Sequence, residues 1–273
     1  MDELYIIARE VLLDALEALG PHKDATILVG AQAIYLHTGA ADIAVAEYTT
    51  DADLAIDPDL LDDIPPLEQA LEQAGFLSSK DVGIWKTRRK TTSAANVDVQ
   101  VDLLVPSAVS PGKGRRAARL PGHNANAARK VDGLEGVLVD KSEIEIHSLQ
   151  PDEDPRKILT QVAGPGALLV AKLFKIHERR GSERSNDKDA LDIYRLLQAI
   201  TTQELANCIG IIRADERSAA IGSRSIELLE ELFGTRGSEG AIMAARATQP
   251  LMDADEVRQT CEFLTSDLLR ELG

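Results

Sequence analysis

The sequence predicts an α+β protein, with a mixed sheet flanked by helices in residues 1–150 and an all-helical domain in residues 151–273. As far as residue 105, short strand-type runs alternate with helical segments. The best of those runs, NVDVQVDLLVP, alternates polar and apolar residues from Asn96 to Leu103. Beyond residue 150 the apolar spacing is helical, and no strand of comparable quality is legible.

Each element follows from its own residues. Leu4, Ile7, Ala8, Val11, Leu12, Ala15, Leu16 and Leu19 fall at helical spacing, and Gly20-Pro21 ends that helix. ATILVG is a short apolar run of strand type that stops at Gly30, and AQAIYLHTG then reads as a short helix closed by Gly39. In TTDADLAID, Leu54 and Ile56 alternate with Asp53 and Ala55 as in a strand. Pro65-Pro66 opens the helix LEQALEQAG, closed by Gly75. WKTRRKTT is a strand or hairpin arm. In NVDVQVDLLVP, Val97, Val99, Val101 and Leu103 share one face, and Asp98, Gln100 and Asp102 the other. Residues 106–130, rich in Pro, Gly, Ser and Arg, read as a loop with little fixed structure. PDEDPRKIL leads into the helix GPGALLVAKLFKIHERR, followed by DKDALDIYRLLQAI and further helices to residue 272.

Composition narrows the function. Hydrophobic content of 44% with 3% aromatics fits a globular chain built on Ala, Leu, Ile and Val, not a disordered one. No apolar run approaches the ~20 residues that cross a bilayer, and MDELYIIARE lacks a basic signal-type start, so a cytoplasmic protein with no membrane partner is expected. Cys208 and Cys261 have no metal-type spacing and are expected as reduced thiols. A net charge of −15 argues against unspecific coating of nucleic acid. Residues 86–130 are the exception. There Lys86, Arg88, Arg89, Lys90, Lys113, Arg115, Arg116, Arg119, Arg129 and Lys130 face only Asp98 and Asp102, a zone suited to a polyanion held at one place.

The acidic residues are the candidate chemistry. Asp51 and Asp53 open a strand, so their side chains share a face with Cα atoms about 7 Å apart. Two carboxylates that close repel unless a cation lies between them. An aspartate inside an apolar strand is costly if buried unpaired, and is better explained by a metal or a solvated cleft. Asp98 and Asp102 lie about 13 Å apart along their strand, so only one can join the pair. Asp102, followed by Leu103, Leu104 and Val105, is the stronger choice, with Asp98 the alternative. Gly30-Ala31, between a strand and a helix, could let backbone N–H groups approach a phosphate, since a helix N-terminus favours negative charge.

With Gly30-Ala31 at a strand end, Asp51-Ala52-Asp53 on the next strand and Asp102 on a later one, residues 25–105 resemble the DNA polymerase β-type nucleotidyltransferase superfamily. Ala171-Lys172-Leu173, Arg184, Asp187-Lys188-Asp189 and Asp192-Ile193-Tyr194 make residues 165–197 similar to the AbiEii/MenT-like toxin nucleotidyltransferases. The resemblance implies Mg2+ as cofactor, at a two-ion site held by Asp51, Asp53 and Asp102, and a nucleoside triphosphate as substrate. Asp51 and Asp53 would bind both ions; Asp102 would bind the catalytic one and take the nucleophile's proton. Gly30 and Ala31, with Lys172, Lys175 and Asp189, would bind the nucleotide, Asp189 in a supporting role. The implied acceptor is the 3′ end of tRNA, met through the basic zone 86–130, and the implied setting is a toxin paired with a cognate antitoxin. Ala31 stands where relatives carry Ser or Gly, Glu47 where they often carry Arg, and the interval from Gly30 to Asp51 is longer than usual.

Lys172, Lys175 and Arg179 form one stripe of a helix, with Lys172 among apolar residues where an ammonium needs an anion. The bland alternative is a solvated basic stripe, with Asp189 and Asp192 merely holding Lys188 or Arg195. His177 reads as a surface residue, and Tyr35 and Trp85 as core or rim. Two other functions stay open: a small-molecule nucleotidyltransferase of the antibiotic-modifying kind, and a non-catalytic nucleotide-binding or interaction protein that keeps the fold.

Overall fold

The computed structural model describes residues 2–39, 49–110, 114, 116–182 and 186–273. Glu47, Lys113, Arg115 and Arg184 lie outside the described residues. The chain divides into two compact units, each assembled from separate stretches. One comprises Met1–Ala33, Glu47–Val131 and Lys141–Ala163, and the other Ile34–Ala46, Asp132–Asp140 and Gly164–Gly273.

In the first unit, α1 (Glu3–Ala18) starts at Asp2, whose Oδ1 accepts hydrogen bonds from the backbone N–H groups of Leu4 and Tyr5 at 2.8 and 3.3 Å. The sheet strands are β1 (Thr26–Val29), β2 (Asp51–Ile56), β3 (Leu77–Ser78), β4 (Ile84–Lys90), β5 (Asn96–Pro106), β6 (Arg129–Val131), β7 (Lys141–His147) and β8 (Lys157–Ala163). They run in the order β3-β4-β5-β2-β1-β8-β7, with β6 pairing β5. The pairs β2–β5, β1–β8 and β5–β6 are parallel, and the others antiparallel. The sheet is therefore mixed, as expected. Among the described residues its path ends at β3, two residues long, and at β7, where Glu143, Glu145 and His147 are exposed.

Register partners point to the same side of a sheet, so the two faces can be read off the pairing. On one face lie Trp85 and Thr87 of β4, Val99, Val101 and Leu103 of β5, and Ala52, Leu54 and Ile56 of β2, all buried. Burying side chains of the Val, Leu and Ile size stabilises by roughly 1.5–3 kcal/mol each. Helix α1 lies across this face, and Asp14 on it pairs with Arg89 of β4. The short α3 (Leu67–Gln73) packs beside α1. The other face carries Asp51 and Asp53 of β2, Asn96, Asp98, Gln100 and Asp102 of β5, and Lys86, Arg88 and Lys90 of β4. Polar-out alternation thus extends over three neighbouring strands.

Two expectations about strands are corrected. Lys157–Ala163 is a strand although that region reads as all-helical: it gains its order from pairing along all of β7 and beside β1, which a local pattern cannot reveal. The stretch 106–130 is not featureless either, since β6 begins in it and Ala117 bridges Arg129.

The second unit is a helical assembly: α4 (Pro165–Arg179), α5 (Asp187–Ala199), α6 (Thr202–Ala214), α7 (Ala219–Phe233), α8 (Glu239–Thr248) and α9 (Ala254–Leu272). The intervening α2 (Gly30–Thr38) starts in the first unit and ends in the second. Helix α4 packs on α5, α6 and α7, and α5 on α8. Asn186, Thr201 and Asp253 cap α5, α6 and α9 with their side-chain oxygens. Asp140 does the same for α4 from a distant segment, its Oδ2 accepting from the Ala167 N–H at 2.7 Å, while burial pushes its pKa up. Leu228, Leu229, Leu232 and Phe233 of α7 are buried, as expected for an apolar helical stripe. Among the described residues no helix is long and apolar enough to cross a membrane.

Candidate active site

The parallel pairing of β2 with β5 puts Asp53 directly beside Asp102, and Asp51 beside Gln100. Cα atoms of such neighbours are about 4.8 Å apart. Asp51, Asp53 and Asp102 therefore share the polar face. Asp98, the alternative, lies further along β5, is exposed, and is bound by Arg88 at 2.9 Å.

Gly30 closes the site from β1. Val29 is the register partner of Asp53, and the chain turns at Gly30 with φ +72°, a left-handed conformation that strains any other residue. A Cβ there would stand 2.1 Å from Asp53 Oδ2, so only glycine lets the carboxylate lie against the start of α2. Ala31 is buried. The positive end of α2 faces the Asp53 charge, an arrangement that favours an anion.

The start of β2 is held by groups the sequence did not advertise. Arg9, on α1, is 3% exposed, and Gln32, on α2, is 1% exposed. Arg9 Nε donates to Gln32 Oε1 at 2.8 Å, and Gln32 Nε2 donates to the carbonyls of Asp51 and Ala8, both at 3.2 Å. Arg9 also donates to the His147 carbonyl at 3.0 Å. Thr49 Oγ1 donates to Asp51 Oδ1 at 2.5 Å. One signal was available: Arg9 sits four residues after Tyr5, on the apolar stripe of α1, where a charge needs a buried partner.

Asp102 also has a partner of its own. Its Oδ2 accepts from Arg129 Nη2 at 2.5 Å, across the β5–β6 pairing. Nothing in the sequence pattern of 106–130 announces this contact.

The lysine helix is resolved within the second unit. Lys172 is 5% exposed, and its ammonium lies 2.8 Å from Asp189 Oδ1 and 2.6 Å from Asp192 Oδ2, the latter carboxylate being 0% exposed. Burial alone would lower the Lys172 pKa, but Asp192 and Asp189 outweigh it and raise it. Asp189 is affected in the opposite sense. Burial would raise its pKa, yet Lys172 and Lys175 draw it down to about 2. Asp189 and Asp192 thus both hold Lys172, and the Arg195 guanidinium lies over the Tyr35 ring at 5.5 Å. Lys175 and Arg179 are not simply solvated, because they reach Asp189 at 3.2 and 3.4 Å. His177 is exposed, and Trp85 and Tyr35 are buried, as expected.

A family profile described as nucleotidyltransferase matches residues 9–209, well over half of the chain and both units in part. The chain belongs to the nucleotidyltransferase family. Comparison with curated protein sequences finds no match. Among solved structures, this chain is similar to an antigenic nucleotidyltransferase-like protein from Paracoccidioides brasiliensis, at 15% identity and a TM-score of 0.40, covering 82% of this chain and 93% of that one.

Asp51, Asp53 and Asp102 offer hard carboxylate oxygens, the ligands that Mg2+ takes. The glycine cradle at Gly30 holds one of them at the helix start. Among the described residues no three His, Cys, Asp or Glu side chains are already gathered as a metal-binding group. The donor set fits the ion in chemistry and in shared face, with Asp102 turned to Arg129 as the side chains stand.

Proposed function

We propose that this chain is a Mg2+-dependent nucleotidyltransferase that moves a nucleoside monophosphate from a nucleoside triphosphate to the 3′ end of tRNA, as the toxin of a toxin–antitoxin pair of the AbiEii/MenT-like kind. The observation that carries the reading is the register of β2 on β5, which sets Asp53 beside Asp102 on the face that also bears Asp51. Mg2+ held by these three residues would neutralise charge at the entering and leaving oxygens of an in-line displacement. The chain's own part is largely positioning. Gln32 and Arg9 fix the backbone under Asp51, Gly30 leaves room for the Asp53 carboxylate, and Asp102 takes the proton of the attacking hydroxyl. Lys86, Arg88 and Lys90 alternate along β4 on the same face, a basic strip suited to the phosphates of an RNA acceptor. The Arg88–Asp98 pair is exposed and worth little, so it yields readily to a phosphate. In the second unit, Lys172 is committed to Asp189 and Asp192, and it shares Asp189 with the more exposed Lys175.

Thermal melting tests the site. Mg2+ with the correct triphosphate at about 100 times its Kd should stabilise the protein by ~2.7 kcal/mol, and Asp51→Asn with Asp53→Asn should remove the effect. No Mg2+-dependent shift with any of the four triphosphates would end the enzyme reading. Incubation with each labelled triphosphate and total tRNA then tests the acceptor; label on an aminoglycoside but not on tRNA would replace it. A second reading, a nucleotide-binding protein without transfer, is favoured by the Arg129 contact on Asp102 and by Ala31 in place of a hydroxyl. It predicts the melting shift without any labelled product.

A further inference from the structure

The Arg129–Asp102 pair has no role in the transfer just described, which gives Asp102 to a metal. Asp102 is 9% exposed, and a carboxylate so placed needs a compensating charge. The chain supplies one from β6, with Arg129 Nη2 2.5 Å from Asp102 Oδ2. Arg129 is not fully satisfied in that position. Its Nε is buried with no hydrogen-bond acceptor among the described residues, although a guanidinium has five N–H groups to place. About a third of its side chain is exposed, which leaves it a way out towards solvent. A guanidinium binds one carboxylate here, whereas a divalent ion would draw together the carboxylates of Asp51, Asp53 and Asp102 on their shared face. The two cations repel, so both cannot be held on Asp102 at full strength.

We infer that Arg129 is a displaceable counter-ion for Asp102: it occupies the third carboxylate when no metal is bound, and gives it up to a divalent cation. This rests on the metal reading of the acidic face. The segment that carries Arg129 is tied to the only tryptophan of the chain. Trp85 Nε1 donates to the Ala127 carbonyl at 3.0 Å, and the Gly83 N–H to the Asn126 carbonyl at 2.9 Å. The fit is close, since a Cβ on Gly83 would stand 2.6 Å from the Arg129 amide nitrogen. The buried Trp85 indole, two residues after Gly83, is thus placed as a reporter for the segment that carries Arg129.

The test uses Mn2+, which shares the preference of Mg2+ for oxygen ligands, with the free ion counted by electron paramagnetic resonance. The full-length chain is titrated as wild type, Arg129→Ala, Arg129→Gln and Asp102→Asn, with Trp85 emission followed in parallel. Removal of the competing charge should tighten Mn2+ binding about tenfold in Arg129→Ala, with Arg129→Gln between. The emission of the wild type should change on saturation, and that of Arg129→Ala much less. Should Arg129→Ala fail to fold by circular dichroism, Arg129→Gln carries the comparison. Binding in the variants equal to or weaker than in the wild type, yet lost in Asp102→Asn, overturns the counter-ion role alone. No Mn2+ binding by any form overturns the metal reading with it.

Discussion

At the residue scale, the sharpest contrast is between two buried cations. Lys172 stood out in the sequence because it interrupts Leu169, Val170 and Leu173, and the anion it needs is present twice over, as Asp189 and Asp192. Arg9 carries a similar signal on α1 but hides behind a helix pattern that tolerates arginine on its other faces. Removing one partner of a buried ion group leaves charge without compensation. Lys172→Met should therefore destabilise the protein by ~3–5 kcal/mol, measured by urea denaturation at neutral pH. Asp189 gives a pH-dependent version of the same experiment. Its folded pKa is drawn down to about 2, below its unfolded value, so its contribution is complete above the usual carboxylate range and is lost as pH falls towards 2. Asp189→Asn should cost about 2 kcal/mol at pH 7, and the gap to the wild type should close as denaturation is repeated from pH 5 down to pH 2. A constant gap would assign Asp189 a packing role instead of a charge role.

At the element scale, much of the candidate site was legible because a strand has a period of two. Asp51 and Asp53 had to share a face, and so did Asp98 and Asp102. What alternation cannot give is which strands become neighbours, or their offset. The parallel register that sets Asp102, and not Asp98, beside Asp53 is a tertiary fact, set by burying Val99, Val101, Leu103 and Leu54 together. For the same reason β8 was missed: Lys157–Ala163 is held by β7 and β1 more than by its own alternation. The turn at Gly30 makes a testable link between element and site. Gly30→Ala should cost ~1–2 kcal/mol for the left-handed backbone. Because the new Cβ would meet Asp53 Oδ2, it should also abolish the Mg2+–triphosphate melting shift while circular dichroism stays native. A Gly30→Ala protein with an undiminished shift would separate Asp53 from the binding site.

At the scale of the whole molecule, the α+β class was legible from the alternation of periods, whereas the interleaving of the two units was not. Asp132–Asp140 and Ile34–Ala46 belong with the C-terminal helices, although each sits between stretches of the first unit. Contacts such as Asp140 on the N-terminus of α4 decide this, and they join residues far apart in sequence. Net charge acts at this scale too. A chain at −15 should bind RNA only through its basic strip, so its affinity for tRNA should fall steeply with salt. Lys86→Gln with Lys90→Gln should then flatten the log–log salt slope by about 1.5–2, read from filter binding over a KCl series. An unchanged slope would move the acceptor elsewhere. The ends of the sheet govern how copies of the chain treat one another. β3 offers a newcomer only two residues of free backbone, and along β7 an arriving strand would set its side chains beside Glu143 and Glu145. Crowded together at high concentration, these molecules should resist zipping edge to edge into fibres.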